Sequence, residues 1–503
     1  MSFNSDCYNY LLNKYYDIYK IESIRGVLFW DLNTYMPPAG AEYRGEQISY
    51  LQSLVRETLF SKEFKEALKK CNNLDLNDEA KKRNIELLNR KLLKEEAVPS
   101  DLHSELIKQQ TITFGVWKEA RRKADYNLVY PEFKRLYDLV LKKADYLGKA
   151  FEIDSPFEAL IYSNEPNFPV AKIDELFISV KRFLIPFIKK HGVFEEQPQY
   201  SFLYRKINRA QLIEITKKIA ELLKYDINGP DGFGRIDEVP HPLTISCGPR
   251  DVRVTVRYIE NNFMMTLKAT AHEIGHALHG LDWNPKYLYQ PIQHVFSPSF
   301  GESQSRYVEN IIGFNYAYWE YLFPIIKKIT GNFNEISTEK FYEAITQVKP
   351  SLLRVGSDEV TYSLHIIIRY ELEKELFAGE LELYELPEAW NQKYVEYLGL
   401  EVPDDGVGVL QDIHWYQQFW GYFFGYAMGD YIAAQIGEKM DSEIPEWTDN
   451  LREGKFDETR IWLKERIHYY SGLYDTLDLV EHLTGKQLTT DAFKRRIEKI
   501  YSR

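Results

Sequence analysis

A chain of 503 residues with a net charge of -12 and a pI near 5.6 contains no basic block, which argues against a nucleic-acid-binding protein and leaves the acidity as solvated surface. No apolar run of about 18 residues occurs, so no membrane span is expected; the longest uncharged aromatic stretch, Trp415 to Gly429, is interrupted by glutamines and glycines. Cys7, Cys71 and Cys247 are odd in number and far apart, and the amino end lacks a basic segment followed by an apolar one; together these predict unpaired cysteines and a cytoplasmic protein.

Length alone would suggest about three domains. No linker or low-complexity segment divides the chain, however, and one domain over 1–503 is expected, with a helical part (1–240) and a part carrying the chemistry (241–503). In chain order, Trp30-Asp31 and Met36-Pro37-Pro38, followed by Arg44 to Gln47, read as a turn with a capping aspartate. Further breaks fall at Pro99-Ser100 and at Asn164 to Pro169. Between 173 and 190, Leu176, Phe177, Val180, Phe183, Leu184, Phe187 and Ile188 form one stripe at helical spacing. Leu212, Ile215, Ile219, Leu222 and Leu223 repeat the pattern, and both stripes are core. After a Gly/Pro/Asp loop at 227–234, valines alternate with Arg253 and Thr255 from Val252 to Val256, which predicts a strand with an edge open to an extended substrate. Helical periodicity returns at 303–330 and 337–398 and covers most of the chain from 412 onward. The fold class is mainly α with one small β element.

The chemistry centres on Lys268 to Gly280, KATAHEIGHALHG. His272 and His276 stand one helical turn apart on one face with Glu273 between them, the H-E-x-x-H pattern of two zinc ligands and a general base. A catalytic site needs a third protein ligand and one open position. His279 has the wrong spacing and reads as a surface or supporting residue. Glu302, 26 residues beyond His276, is the better ligand on a second helix, with Glu309 as a reserve ligand or a partner behind the ligands. Two histidines and a glutamate favour zinc and also accept cobalt or manganese. Glu273 would take a proton from the metal-bound water and return it to a leaving amine. His414, Tyr422 and Tyr426 are candidate donors to the oxyanion.

The order of these motifs resembles the carboxypeptidase Taq family of metallocarboxypeptidases. The match runs from Trp30-Asp31 through His241-Pro242, the D-x-R-x-T at Asp251, Arg253 and Thr255, HEIGH, and Glu302-Ser303-Gln304-Ser305. It continues in Leu353-Arg354 with Asp358, Ile368-Arg369-Tyr370-Glu371, and Gly408 to Trp415. The resemblance implies a helical fold with a deep groove, similar to oligopeptidases and angiotensin-converting enzyme. It also implies a homodimer and release of single residues, with broad preference, from peptides with a free C-terminus. By the same motifs His272, His276 and Glu302 would hold the metal, Glu273 would be the base, and His414 and Tyr426 would face the reacting carbonyl. Arg354 would grip the terminal carboxylate, with Arg253 as second choice. Three positions depart from the family pattern: Leu243 after His241-Pro242, Gly301 where histidine usually precedes the ligand glutamate, and Ser357 before Asp358. An endo-oligopeptidase on the same scaffold, or a silent metal-stabilised binding scaffold, are the competing readings.

Overall fold

The computed structural model describes residues 4–74, 76–195, 197–294 and 297–502. The amino-terminal part is helical, as the periodicity predicts: α1 (Asn4–Asn33), α2 (Ala41–Phe60), α3 (Lys62–Asn72), α4 (Glu79–Ala97) and α5 (Ser100–Lys123), then α6 (Tyr130–Phe151), α7 (Pro156–Asn164), α8 (Val170–His191) and α9 (Arg209–Leu222). The predicted stripe on α8 is buried except for Phe183, which is half-buried against the core. Asn208 and Gln211 form a reciprocal capping box that starts α9.

A three-stranded sheet follows, made of β1 (Ile236–Glu238), β2 (Thr244–Gly248) and β3 (Asp251–Val256), in the order β1-β3-β2. β1 runs parallel to β3 and β2 antiparallel to it. The predicted strand is therefore central, with both of its edges already paired. The edge nearest the chemistry belongs to β2. Period-two alternation sends Val252, Val254 and Val256 into the core on the side of the next helix, α10 (Phe263–Leu281). The opposite face carries Ile245, Cys247 and Arg253, covered by the buried Trp30 of α1.

The remainder comprises α11 (Pro298–Arg306), a π-helical turn at Tyr307–Ile312, α12 (Tyr316–Thr330), α13 (Thr338–Ile345), α14 (Glu359–Ala378), α15 (Leu386–Leu398), α16 (Phe424–Glu443) and four shorter helices to Tyr501. The helical stretch expected at 337–398 is broken at 346–358, where the chain turns through a short 3-10 segment, Arg354–Gly356. One hydrophobic core joins α5 through α9, β3 and everything beyond; α1, α3 and α4 with part of α2 enclose a second, smaller one around Leu11, Ile18, Leu59, Phe64 and Leu88.

Two local expectations are corrected. Asp31 closes the turn after α1 with its carbonyl oxygen, which accepts from the amides of Thr34, Tyr35 and Met36, while its carboxylate pairs with Arg44 at 2.8 Å. Cys7 and Cys71, expected to be unpaired, form a disulfide between α1 and α3 with Cα atoms 6.2 Å apart. Their separation of 64 residues hid a contact that only the packing of the two helices creates. Cys247 alone is free, and buried.

Candidate active site

α10 carries the H-E-x-x-H residues across its middle, and α11 crosses it at close range because of two glycines. A Cβ on Gly275, inside the motif, would lie 2.6 Å from the Gln304 carbonyl oxygen and 2.7 Å from the Ser305 Cα. A Cβ on Gly429 of α16 would lie 2.8 Å from the Glu302 Cγ. α11 is thus held between two helices whose glycines leave it room, and this drives Glu302 toward the histidines. Ser297 caps α11 by accepting from the Phe300 amide, and the buried Glu165 accepts the Ser299 amide at 2.8 Å, fixing the same helix start.

His272, His276 and Glu302 converge, with one ligand atom from each within 4.8 Å of the others. His272 Nε2 lies 3.7 Å from Glu302 Oε1 and His276 Nε2 lies 3.5 Å from Glu302 Oε2. A tetrahedral zinc with bonds near 2.0–2.1 Å spaces its ligands by about 3.3 Å, so the donor set fits one such ion after a small contraction. Glu302 lies on a second helix, as expected, and sits one turn into it, buried.

The supporting residues explain why these rings point where they do. Glu309, on the π-helical turn, has Oε2 2.9 Å from His272 Nδ1, so Nδ1–H donates to it and Nε2 is left for a metal. Glu309 therefore stands behind His272 rather than among the three converging donor groups. Arg306, stacked 3.8 Å over the Tyr362 ring, donates to both Glu302 Oε1 and Glu309 Oε2 at 3.1 Å. Burial alone would raise the Glu302 carboxyl, but the imidazoles of His272 and His276 and the Arg306 guanidinium hold it down at about 2. Glu273 is buried beside its ligand neighbours, and the Thr244 hydroxyl on β2 lies 2.7 Å from its Oε2. Nothing in the sequence singled out Thr244; only the β2–α10 contact makes it a partner of the base.

These groups face a cavity of about 600 Å³ whose wall includes Thr244, His276, Gly301, Tyr422 and Tyr426. Tyr422 and Tyr426, expected from the sequence, both reach it, with ring centres 5.5 Å apart. His414 stands behind Tyr426, its Nε2 3.0 Å from the Tyr426 hydroxyl, and does not form part of the wall. Burial keeps this imidazole neutral; Asp412 pulls its pKa up, Arg354 and Arg369 push it down, and it ends at about 3. His279 also lines the cavity, against His468, and burial and that neighbour lower it to about 3. His468, which carried no sequence signal, bridges Asp282 and Gln304, at 2.5 and 3.0 Å.

The two candidate arginines differ. Arg253 is not brought to the site: alternation along β3 points it at Trp30, and Asp251 holds its fork at 2.7 and 2.6 Å. Arg354 is buried one layer behind Tyr426, with its guanidinium 5.3 Å from that ring. Asp412 Oδ1 occupies its side-on edge through Nε and Nη2 at 3.1 and 2.8 Å, and Asp412 Oδ2 is tied to Arg369 at 2.6 Å. Among the described residues, Arg354 Nη1 donates only to the Tyr362 hydroxyl, at 3.3 Å, and points away from Asp412's grip. Of the departures from the family pattern, Ser357 is absorbed locally by donating to the Arg354 carbonyl at 2.7 Å, and Leu243 packs with Trp30.

Residues 10–501 match the family described as carboxypeptidase Taq (M32) metallopeptidase. Carboxypeptidase 1 of Bacillus subtilis is 34% identical over 468 residues, covering 92% of this chain and 91% of that one. Thermostable carboxypeptidase 1 of Thermus thermophilus is 33% identical over 497 residues and 96% of each chain. A solved structure of Pyrococcus furiosus carboxypeptidase superposes with a TM-score of 0.94 at 29% identity and 99% coverage of both chains. The chain belongs to the carboxypeptidase Taq (M32) family of metallopeptidases and is a metallocarboxypeptidase.

Proposed function

We propose that this member of the family removes single residues of broad type from peptides with a free C-terminus, using one metal ion held by His272, His276 and Glu302. The convergence of those three ligand atoms within 4.8 Å, with Glu273 buried alongside and Thr244 fixing it, is the observation that supports this reading. A divalent ion there would lower the pKa of a water and polarise the peptide carbonyl. Zinc is the ion the donor set favours, with cobalt compatible.

The chain's own residues supply the rest. Glu273 takes the proton of the attacking water and delivers it to the departing amine. Tyr422 and Tyr426 line the cavity, and we assign their hydroxyls as the donors to the oxyanion as it develops. His414 acts through Tyr426 as a positioning residue, its imidazole kept neutral by burial. The family motif assigns Arg354 to the terminal carboxylate; it lies one layer behind Tyr426 with Nη1 directed away from Asp412, while Asp412 and Arg369 hold its other edge rigid. We further read the protein as a cytoplasmic homodimer. In a reducing cytoplasm Cys7 and Cys71 would stand as thiols, and thiol counting in fresh lysate together with light scattering of the purified protein tests both points.

Mass spectrometry of an unblocked peptide ladder tests the central reading. Stepwise loss of single C-terminal residues, abolished by chelator and restored by zinc or cobalt, is the expected result. Internal cuts, or hydrolysis that ignores the chelator, would overturn it.

A further inference from the structure

Gly301 is a helical glycine that the fold does not require. It lies inside α11, immediately before Glu302, and is not among the glycines with positive φ. A Cβ built on it meets no heavy atom within 4 Å, whereas at Gly275 and Gly429 it would collide. A glycine in a helix interior costs about 1 kcal/mol relative to alanine. No turn and no close packing offsets that here. What lies in front of Gly301 is the cavity.

Its place on the cavity wall identifies the side concerned. Ser297 and Pro298, one turn earlier on the same face of α11, line the cavity with it. Ser297, Ser246 and Ser471 are shared with a second cavity of about 490 Å³ beside α1 and α4, so the two spaces form one trough. Arg354 is not part of the trough wall and lies behind Tyr426. A peptide with its terminal carboxylate toward Arg354 and its scissile bond at the three ligands therefore continues past Gly301 toward Ser297. The trough wall in this region includes His279, Trp283 and Tyr469, rings suited to stacking against another ring.

We propose that Gly301 opens the subsite for the residue preceding the scissile bond, and that the opening admits a large aromatic side chain there. The proposal rests on the carboxypeptidase reading with Arg354 as the terminal anchor. Ser297 and Pro298, which share this face of the wall, lie one turn away, so at position 301 the size of the side chain itself decides how far a substrate ring can enter.

The test uses peptides with a constant C-terminal residue and Ala, Leu, Phe or Trp before it, against the wild type, Gly301→Ala and Gly301→Leu. Bound metal per chain and Tm are measured for each protein. The wild type is expected to process the Phe and Trp peptides at least as well as the Ala peptide. In Gly301→Leu the ratio of kcat/KM for Trp over Ala should fall by about 10-fold or more, through KM, with Gly301→Ala intermediate. A ratio unaltered by Gly301→Leu, an equal loss across the series, or discrimination that follows the C-terminal residue when that is varied instead would overturn the proposal while leaving the activity intact. Failure of the metal-loaded wild type to shorten any unblocked peptide would overturn the activity reading and this subsite with it.

Discussion

Thr244 illustrates how much of the chemistry sits in residues with no motif of their own. Its hydroxyl is 2.7 Å from Glu273 Oε2 and 2.9 Å from the Glu273 carbonyl oxygen, so it is placed to aim the proposed base without touching a proposed metal ligand. Thr244→Val keeps the shape and removes the donor. With the carboxylate freed to rotate, kcat should fall by about 10-fold while metal content stays at one per chain, because hydrogen bonds to charged groups contribute about 1.5–3 kcal/mol. Atomic absorption and steady-state kinetics on the same preparation check this. Equal loss of metal and activity would mean that Thr244 supports the fold of α10 rather than the base. At this scale the sequence was legible where spacing carries the information. His272, Glu273 and His276 follow from helical geometry, and Glu302 from the need for a third ligand. Arg253 was misplaced because only the register of β2 against β3, with Ile245 opposite Arg253, reveals which face it takes. Arg354 was named, but its capture by Asp412 links residues 58 positions apart and leaves no local trace.

The elements matter through how closely they approach. α11 reaches the histidines because Gly275 and Gly429 carry no Cβ where it passes, and neither glycine announces this in the sequence; one looks like a motif spacer and the other like a small residue in an aromatic stretch. Gly429→Ala places a methyl 2.8 Å from the Glu302 Cγ, so α11 or α16 must shift. The expected outcome is a loss of about 1–3 kcal/mol of stability by urea unfolding. Displacement of the ligand should also weaken zinc binding by at least about 10-fold, as loss of orienting contacts does at metal sites. Gly301→Ala, on α11 beside Glu302 but facing open space, is the internal control, since it should leave the unfolding midpoint equal or higher. The helical stripes of α8 and α9 were readable because buried residues recur at the helix period. The strand was readable too, but its central place in the sheet was not, because β1 and β2 are short and their pairing is set by tertiary packing.

Across the whole molecule, two cores are joined at the trough, which runs from the ligands toward α1 and α4. The main core imposes a pH dependence. His279, on the cavity wall, and His414, behind it, are mostly enclosed and held at about 3, chiefly by desolvation. Unfolded imidazoles take up protons near pH 6.5. Between those limits the unfolded state binds more protons, so stability rises with pH across the window and is lost as pH falls from about 6.5 toward 3, by up to about 1.4 kcal/mol per pH unit for each histidine. Urea midpoints at pH 7, 5.5 and 4.5 should fall in that order, and His279→Asn should flatten the slope. A midpoint independent of pH over this range would show that these histidines are not buried as neutral groups.

The central claim is that one metal site, served by Glu273, acts on the last peptide bond of a chain whose terminal carboxylate is held. A matched pair of peptides, identical except that one ends in a free acid and the other in an amide, tests it most directly when each is followed by mass spectrometry with the wild type and with Glu273→Gln. The expected result is stepwise trimming of the acid form by the wild type, little or none of the amide form, and none of either by Glu273→Gln at full metal content, a loss of about 100-fold or more. Comparable cleavage of acid and amide, or sustained turnover by Glu273→Gln, would contradict it.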